Sequence, residues 1–301
     1  MAYFRHPTDA MTKFLTATAA ALLLLLTACT TRDTTDPWNN PPVPADSLIN
    51  LSYDSDTSNK LDLYLPTARS QDSTPLLVLV HGGTADYWAS GDKRDMQVWV
   101  NRLRAQLPKW AIANINYRLN TAPPTNAFPA QETDVQVAIN FLYQNRVNWH
   151  ISDRIVLAGW STGGQLALLH SYKRANPVAI KAVAALSAPS DLDDFYQYQA
   201  VPTQWRMQQL MSGSPASNSV LYQQSSPQTF VGLHTIPTFL AQGMLDSVMP
   251  YAQTDALAAR LQANNVPHSY LFYPAEKHVY ADTTLNHTLD SLATWLKERV
   301  R

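Results

Sequence analysis

The stretch LAGWSTGG, residues 157–164, separates two segments of different character. Residues 154–158 form a short, largely apolar run of the kind found in buried β-strands. Residues 165–170 have the composition of a helix. Only a few, mostly small residues separate the two segments, so the chain between them is just long enough for a tight turn. The sequence therefore predicts a strand, a sharp turn and a helix in direct succession.

The turn at residues 159–163 fits the pattern G-x-S-x-G, which places a serine on the turn itself. Such a turn strains the serine backbone, and the positions two before and two after it must lack a Cβ atom. Glycine is scarce in this chain, with nine in 301 residues, and Gly159, Gly163 and Gly164 are three of them. This concentration argues against chance and predicts a nucleophile at Ser161.

A second glycine-containing motif, His81-Gly82-Gly83, follows the apolar run at residues 76–80. Ligands of open α/β sheets bind at the carboxyl ends of the strands. We expect the backbone N–H groups of Gly82 and Gly83, with that of Thr162, to stabilise a developing oxyanion. His81 is expected to brace this loop and not to act as a base. In isolation the tripeptide could equally be an ordinary turn.

A serine on this turn needs an acid and then a histidine later in the chain. Asp246 follows the predicted strand at residues 238–242, and it is our candidate acid. Asp191 also follows a predicted strand and is the rival, whereas Asp255 would lie on a helix at the flank of the sheet. A cap or turn residue is the alternative interpretation of Asp246.

The chain contains eight histidines, one of which is expected to act as the general base for Ser161. His278 follows the last predicted strand by five residues and directly precedes the last predicted helix. His268 precedes that strand, at the wrong edge of the sheet, and His287 would lie on the helix itself. The sequence therefore predicts His278 as the general base.

Strand-like and helix-like segments alternate through the body of the chain, as they do in a mostly parallel, doubly wound α/β sheet. The predicted strands are residues 60–65, 76–80, 110–117, 154–158, 182–186, 238–242 and 270–273, and further helices are predicted at 98–107, 134–145, 252–262 and 284–299.

The N-terminal 28 residues have the features of a signal peptide, with a basic start and an apolar core too short to span a bilayer stably. Met11 is an alternative start. The segment ends in the tetrapeptide Leu-Thr-Ala-Cys at residues 26–29, which resembles the lipobox of bacterial lipoproteins. That resemblance implies a lipid on Cys29, the only cysteine of the chain, and attachment of the protein to a membrane through this lipid.

Residues 29–46 are rich in proline and polar side chains and are expected to form an extended tether ahead of a domain at residues 47–301. The formal net charge is −1, and charged residues make up 15% of the chain. No basic patch is present, so the composition argues against a nucleic-acid partner.

The body of the chain resembles α/β-hydrolase carboxylesterases of the hormone-sensitive-lipase and feruloyl- or acetyl-esterase-like groups. The motifs above carry this resemblance, together with NYRL at residues 116–119, FPAQ at 128–131 and Asp134. The resemblance implies a Ser161–His278–Asp246 triad, a small-molecule ester as substrate, and no metal or organic cofactor. Thr84 stands where many relatives have a third glycine. The oligomeric state is left open.

The substrate pocket is expected to include Tyr87 and Trp88 after the oxyanion motif and Trp160 beside the nucleophile. These three bulky side chains near one serine, with aromatic residues of 195–205 above them, favour short acyl groups or an aromatic acid. Residues 191–230 form either a small helical cap over the site or an ordinary helical crossover whose aromatic side chains lie in the core. Both interpretations fit the sequence.

Two other functions compete with ester hydrolysis. The elbow is similar to that of prolyl-oligopeptidase-type serine peptidases, so a peptidase or amidase can use the same residues. A non-catalytic lipoprotein that only binds ligands on this scaffold is the alternative from a different class.

Overall fold

A computed structural model of the chain describes residues 42–83, 87–121, 125–173 and 178–300. The predicted signal peptide at residues 1–28, Cys29 and the tether as far as residue 41 lie outside the described residues. The chain divides into two units, Met1–Pro42 and Val43–Arg301. In the described part, no helix combines the length and the apolar character needed to cross a membrane.

One eight-stranded sheet forms the centre of the second unit, in the order β1-β2-β4-β3-β5-β6-β7-β8. β1 pairs antiparallel with β2, and β2 antiparallel with β4, whereas all later pairs are parallel. The strands are β1 (Asp46–Ser52), β2 (Lys60–Leu65), β3 (Leu76–Val80), β4 (Ala111–Ile115), β5 (Ile155–Trp160), β6 (Ile180–Leu186), β7 (Thr238–Gly243) and β8 (His268–Tyr273).

Helices cover both faces of the sheet and complete the predicted α/β architecture. They are α1 (Gln97–Gln106), α2 (Ala130–Asn145), α3 (Thr162–Tyr172), α4 (Leu192–Tyr198), α5 (Val201–Met211), α6 (Ser219–Ser225), α7 (Tyr251–Ala263) and α8 (Asp282–Arg299).

The central strand β3 shows why the sheet is buried on both faces. Its five residues are all buried, and they alternate between two separate hydrophobic clusters. Leu76 and Val78 pack into the cluster that includes α2 and α3, while Leu77 packs into the one that includes α1 and α8. A continuously apolar run is therefore what a central parallel strand requires, because both of its faces lie against helices.

The edge strand β1 is the one strand that the sequence did not predict. Only two of its seven residues are even partly buried, so it lacks the apolar alternation that marks a half-buried strand. The body also begins earlier than residue 47. The Val43 carbonyl accepts a hydrogen bond from the Ala68 N–H at 2.7 Å, so the last residues of the predicted tether are attached to the domain.

The NYRL and FPAQ segments meet beside the end of β3. The Asp134 carboxylate is fully buried and accepts hydrogen bonds from the Arg118 guanidinium and the Arg118 backbone N–H. Gln131 donates to the Arg118 carbonyl at 3.1 Å. A buried carboxylate needs such donors to offset its lost hydration. This pairing fixes the segment that carries Tyr117, which in turn contacts the loop after β3.

Residues 191–230 contain three helices, α4 to α6, inserted between β6 and β7. Phe195, Met207, Met211 and Tyr222 are buried in the same cluster as the sheet residues. Many of the large side chains of this helical insertion therefore belong to the core, as the crossover alternative expects, and the cap over the site stays a prediction.

Candidate active site

Ser161 occupies the turn between β5 and α3, with φ 56° and ψ −127°. A side chain other than glycine is rarely held at positive φ, and such strain is typical of functional positions. The helix approaches so closely that a Cβ on Gly163 would lie 2.2 Å from the His81 carbonyl oxygen. A Cβ on Gly159 would lie 2.4 Å from the Gly163 backbone. Both glycines of the motif are thus required by backbone contact.

The structure brings Ser161, His278 and Asp246 into one hydrogen-bonded line. The Ser161 hydroxyl donates to His278 Nε2 at 3.0 Å, and His278 Nδ1–H donates to Asp246 Oδ2 at 2.8 Å. Asp246 lies just after β7, and His278 lies between β8 and α8, as the sequence predicts. The His278 side chain is 12% exposed, whereas Ser161 is buried and the Asp246 side chain is fully buried, so solvent contacts these three residues mainly at His278.

The buried Asp246 carboxylate is held by four donors. Its Oδ1 accepts the backbone N–H groups of Val248 and Met249 at 2.9 and 2.7 Å. Its Oδ2 accepts from His278 and from Gln242 Nε2, the latter at 3.1 Å. These bonds compensate the loss of water around a charged group and fix the orientation of Oδ2 towards the imidazole.

Gln242 is a residue of this site that the sequence analysis missed. Its amide nitrogen is surrounded by acceptors, the carbonyls of Gly243 and Met249 and Oδ2 of Asp246. Its Oε1 accepts the hydroxyl of Thr254 at 2.9 Å. These partners leave one orientation for the amide, with the NH₂ group towards the carboxylate. The sequence did carry a signal for this residue, a glutamine at the end of a predicted core strand. An amide buried at such a position needs a polar partner.

The two rival acids have other roles. Asp191 is the N-cap of α4, where its carboxylate accepts the backbone N–H groups of Asp193 and Asp194. Asp255 lies on α7 and accepts the hydroxyl of Tyr270. Neither carboxylate is bonded to His278, so the geometry favours Asp246 as its partner.

The oxyanion loop departs from expectation at Gly83. Its backbone N–H already donates to the Thr162 hydroxyl at 3.1 Å. In the described residues, no hydrogen bond occupies the backbone N–H of Gly82 or that of Thr162. Gly82 also lies directly over the nucleophile, since a Cβ there would be 3.0 Å from Ser161 Cβ. Gly82 and Thr162 are therefore the two available donors, and Gly83 has a supporting role.

His81 braces the loop, as predicted. It is fully buried and stacks on Tyr117 with ring centroids 4.4 Å apart, and its Nδ1–H donates to the Gly82 carbonyl at 2.9 Å. The Tyr117 hydroxyl donates to the His81 carbonyl at 2.9 Å. Burial lowers the pKa of His81, which keeps the ring neutral and suits a structural role.

The predicted pocket residues separate into two groups. Trp88 is only 3% exposed and its indole N–H donates to Gln165, so little of its surface is available to line a pocket. Tyr87 packs against Trp88 and Phe195 with ring centroids 5.9 and 5.7 Å away. Trp160 does border His278. Its ring lies 4.9 Å from that of His278, and its indole N–H donates to the His278 carbonyl at 3.2 Å.

Gln199, between α4 and α5, connects two loops of the site. It accepts a hydrogen bond from the Tyr87 hydroxyl at 3.1 Å and donates to the Val248 carbonyl at 3.2 Å. Because Tyr87 follows the oxyanion motif and Val248 follows the acid, the insertion holds both loops together. This connection favours a cap that is part of the site.

Comparison with known proteins agrees with this geometry. The model of one protein family, BD-FAE, matches residues 61–261, more than half of the chain. The chain belongs to the BD-FAE family. Esterase LipQ of Mycobacterium tuberculosis (strain ATCC 25618 / H37Rv) is 26% identical over 235 residues, which are 74% of this chain and 54% of LipQ.

Two further similarities are informative. Dipeptidyl aminopeptidase BIII of Pseudoxanthomonas mexicana is 25% identical over 239 residues, 72% of this chain and 33% of that protein. The inhibited esterase B of Lactobacillus rhamnosis has a TM-score of 0.65 at 21% identity, covering 95% of this chain and 96% of that one. This chain thus spans about half of LipQ and a third of the peptidase. The structural match establishes the α/β-hydrolase fold.

Replacing Gln242 with Leu removes one of the donors that hold Asp246. A hydrogen bond to a charged group is worth about 1.5–3 kcal/mol, so we expect kcat for p-nitrophenyl acetate to fall about 10- to 100-fold. KM for the same ester should change much less than kcat, because Asp246 is fully buried and does not face the substrate.

Gln131→Leu is the matched control, since Gln131 is equally buried and has no contact with Asp246. It should lower the denaturation midpoint while leaving kcat within about twofold of wild type. A kcat that falls no further in Gln242→Leu than in Gln131→Leu would show that Gln242 only supports folding.

Proposed function

We propose that the protein hydrolyses carboxylic esters through an acyl-enzyme on Ser161. The observation that carries this proposal is the continuous line from Ser161 Oγ to His278 and the buried Asp246, with Ser161 on a strained turn. Nucleophile, base and orienting acid within hydrogen-bond distance are the signature of covalent acyl transfer. LipQ and esterase B, which carry esterase names, support the same reaction class.

In the proposed reaction, Ser161 Oγ attacks the acyl carbon while His278 Nε2 takes its proton. His278 then gives that proton to the departing alkoxide, so that the alcohol leaves and the acyl-enzyme remains. Water repeats the sequence in the second half, releasing the acid. Asp246 keeps the proton of the neutral imidazole on Nδ1 and stabilises the imidazolium.

The negative charge on the substrate oxygen would be stabilised by the N–H groups of Gly82 and Thr162. Both are backbone donors on segments that are rigidly packed, so they need little reorganisation when the charge appears. Gly83 supports them indirectly, because its bond to the Thr162 hydroxyl ties the oxyanion loop to the start of α3.

Amide or peptide hydrolysis is the second candidate, favoured by the similarity to dipeptidyl aminopeptidase BIII. The same residues suit both reactions. Comparison of the hydrolysis rates of p-nitrophenyl esters and aminoacyl p-nitroanilides separates the two functions. A faster reaction with the anilides would favour an amidase or peptidase over an esterase.

Replacing Ser161 with Ala should abolish ester turnover and labelling by a fluorophosphonate probe, with losses of order 10⁶ in rate. Asp246→Asn should cost about 10⁴-fold because it favours the wrong tautomer of His278. Asp191→Asn is the control, since that carboxylate caps α4, and it should have a much smaller effect on rate. Wild-type turnover in Ser161→Ala would leave a binding protein as the better explanation.

Short acyl groups, about two to six carbons, should be preferred over long chains. The rings of Tyr87, Trp88 and Phe195 are packed against one another after the His-Gly-Gly motif, which would leave little length for an acyl chain beside them. Each methylene that fits gains about 0.8 kcal/mol, or about fourfold in kcat/KM. A series of p-nitrophenyl esters should therefore reach a maximum and then decline. A steady rise to twelve carbons would indicate a long open groove instead.

We also propose that a lipid on Cys29 anchors the protein in a bacterial cell envelope, at the outer membrane in a Gram-negative host. The motive is the sequence at residues 26–29. Cys29→Ser should leave the protein unlipidated, and unprocessed or released from the membrane fraction. Mass spectrometry of the wild-type N-terminus checks this, and an N-terminus without lipid would contradict it.

A further inference from the structure

The base His278 lies in a loop that is largely open to solvent. Lys277 is exposed directly before it, and Val279, directly after it, is 72% exposed. The Asp246 carboxylate orients the imidazole but forms no bond with the backbone of this loop. In the described part of the chain, a single hydrogen bond engages the His278 backbone, whose carbonyl accepts the indole N–H of Trp160 at 3.2 Å. The position of the base therefore depends on Trp160.

Trp160 is well placed to hold this loop, because it belongs to the sheet. It is the last residue of β5, and its backbone is paired with Leu186 of β6. Its side chain packs against the hydrophobic cluster that includes α1 and α8. A group fixed by a strand is positioned more precisely than a group fixed by a loop. The indole thus connects the core of the protein to the exposed loop of the base.

The same ring also contacts the oxyanion loop. A Cβ on Gly82 would lie 3.2 Å from Cε3 of Trp160 and 3.0 Å from the Cβ of Ser161, so the Gly82 backbone lies against both residues. The ring of Trp160 is in addition 4.9 Å from the imidazole of His278, measured between the ring centroids. One side chain therefore contacts the base and the residue whose N–H is the proposed oxyanion donor, and it directly precedes the nucleophile.

The proposed reaction requires the oxyanion donor and the base to be correctly placed relative to each other. When Ser161 Oγ attacks, negative charge develops at the oxyanion donors while the serine proton passes to His278 Nε2. A misplacement of about 1 Å between reacting groups can cost about 100-fold in rate. The separation between Gly82 and His278 therefore affects the rate directly, and the Trp160 ring contacts both residues.

We propose that Trp160 is a positioning residue, which fixes the separation between the Gly82 N–H and the His278 imidazole through its ring and its indole N–H. The proposal rests on the esterase activity proposed above and adds a residue to its site. Trp160 acts through the two residues that it contacts and not by binding the substrate. Its loss should therefore slow the chemical step and leave the binding of the ground state almost unchanged.

The test uses two ketone inhibitors of p-nitrophenyl acetate hydrolysis that differ only in fluorine, 1,1,1-trifluorohexan-2-one and hexan-2-one. Ser161 Oγ adds to the electrophilic carbonyl carbon of the fluorinated ketone, its proton passes to His278, and the carbonyl oxygen becomes the oxyanion. The carbonyl of hexan-2-one is far less electrophilic, so this ketone reports binding without the addition. The inhibition constant of hexan-2-one divided by that of the fluorinated ketone, the ketone ratio, therefore measures transition-state stabilisation and does not depend on the fraction of folded protein.

Trp160→Leu removes both the ring and the N–H, and it should lower the ketone ratio and kcat about 100-fold each. Trp160→Phe keeps an aromatic ring without the donor and should lower both about tenfold, the effect of one lost hydrogen bond. Trp295→Leu is the matched control, because Trp295 is a buried indole on α8 that packs against Phe239. It should lower the denaturation midpoint and leave the ketone ratio within about twofold of wild type.

The outcomes separate positioning from the other possible roles of Trp160. An unchanged ketone ratio in both Trp160 variants overturns the proposal, and if both ketones then bind more weakly by the same factor, Trp160 is a wall of the substrate pocket instead. If Trp160→Leu does not fold, the ketone ratio of Trp160→Phe decides between a tenfold loss and no change. Hydrolysis by an enzyme with an unchanged ratio leaves the esterase standing. A folded wild-type protein that does not hydrolyse the acetate overturns the esterase, and the positioning role fails with it.

Discussion

The close approach of α3 to the strands beneath it is the constraint on which the rest of this structure depends. Ser161 can stand at positive φ only because Gly163 lets the helix contact the His81 carbonyl and Gly159 lets the turn close. The same contact places the loop after β3 directly over Ser161. Because Gly159 and Gly163 have no Cβ atom, the same close approach positions both Ser161 and the Gly82 N–H.

A second constraint follows from burying a carboxylate beneath the base. Asp246 can remain charged in the interior only if its lone pairs are occupied, and four donors occupy them. Two of these donors are supplied by the turn itself. The third, Gln242, is in turn oriented by Thr254 on α7, so the chain of hydrogen bonds extends from that helix to Ser161. The acid is thus positioned by tertiary packing as well as by its place after β7.

The sequence predicted the structure where the local residue pattern and the order of the elements along the chain determine it. The strand at β3 was predictable because a strand buried on both faces must be apolar throughout, and the contact of His278 with Ser161 because this histidine follows the last strand. Strand β1 gave no such signal, since pairing with β2 stabilises it while its side chains are mostly exposed. The burial of Trp88 could not be predicted either, because it depends on partners distant in the chain, Gln165 and Phe195.

The inserted helices join two loops that are distant in the sequence. Phe195 from α4 packs against Tyr87 and Trp88 in the segment after β3. Gln199, directly after α4, accepts from the Tyr87 hydroxyl and donates to the Val248 carbonyl in the loop that carries Asp246. A change in α4 would therefore act on both loops at once, because each of them contacts this short part of the insertion.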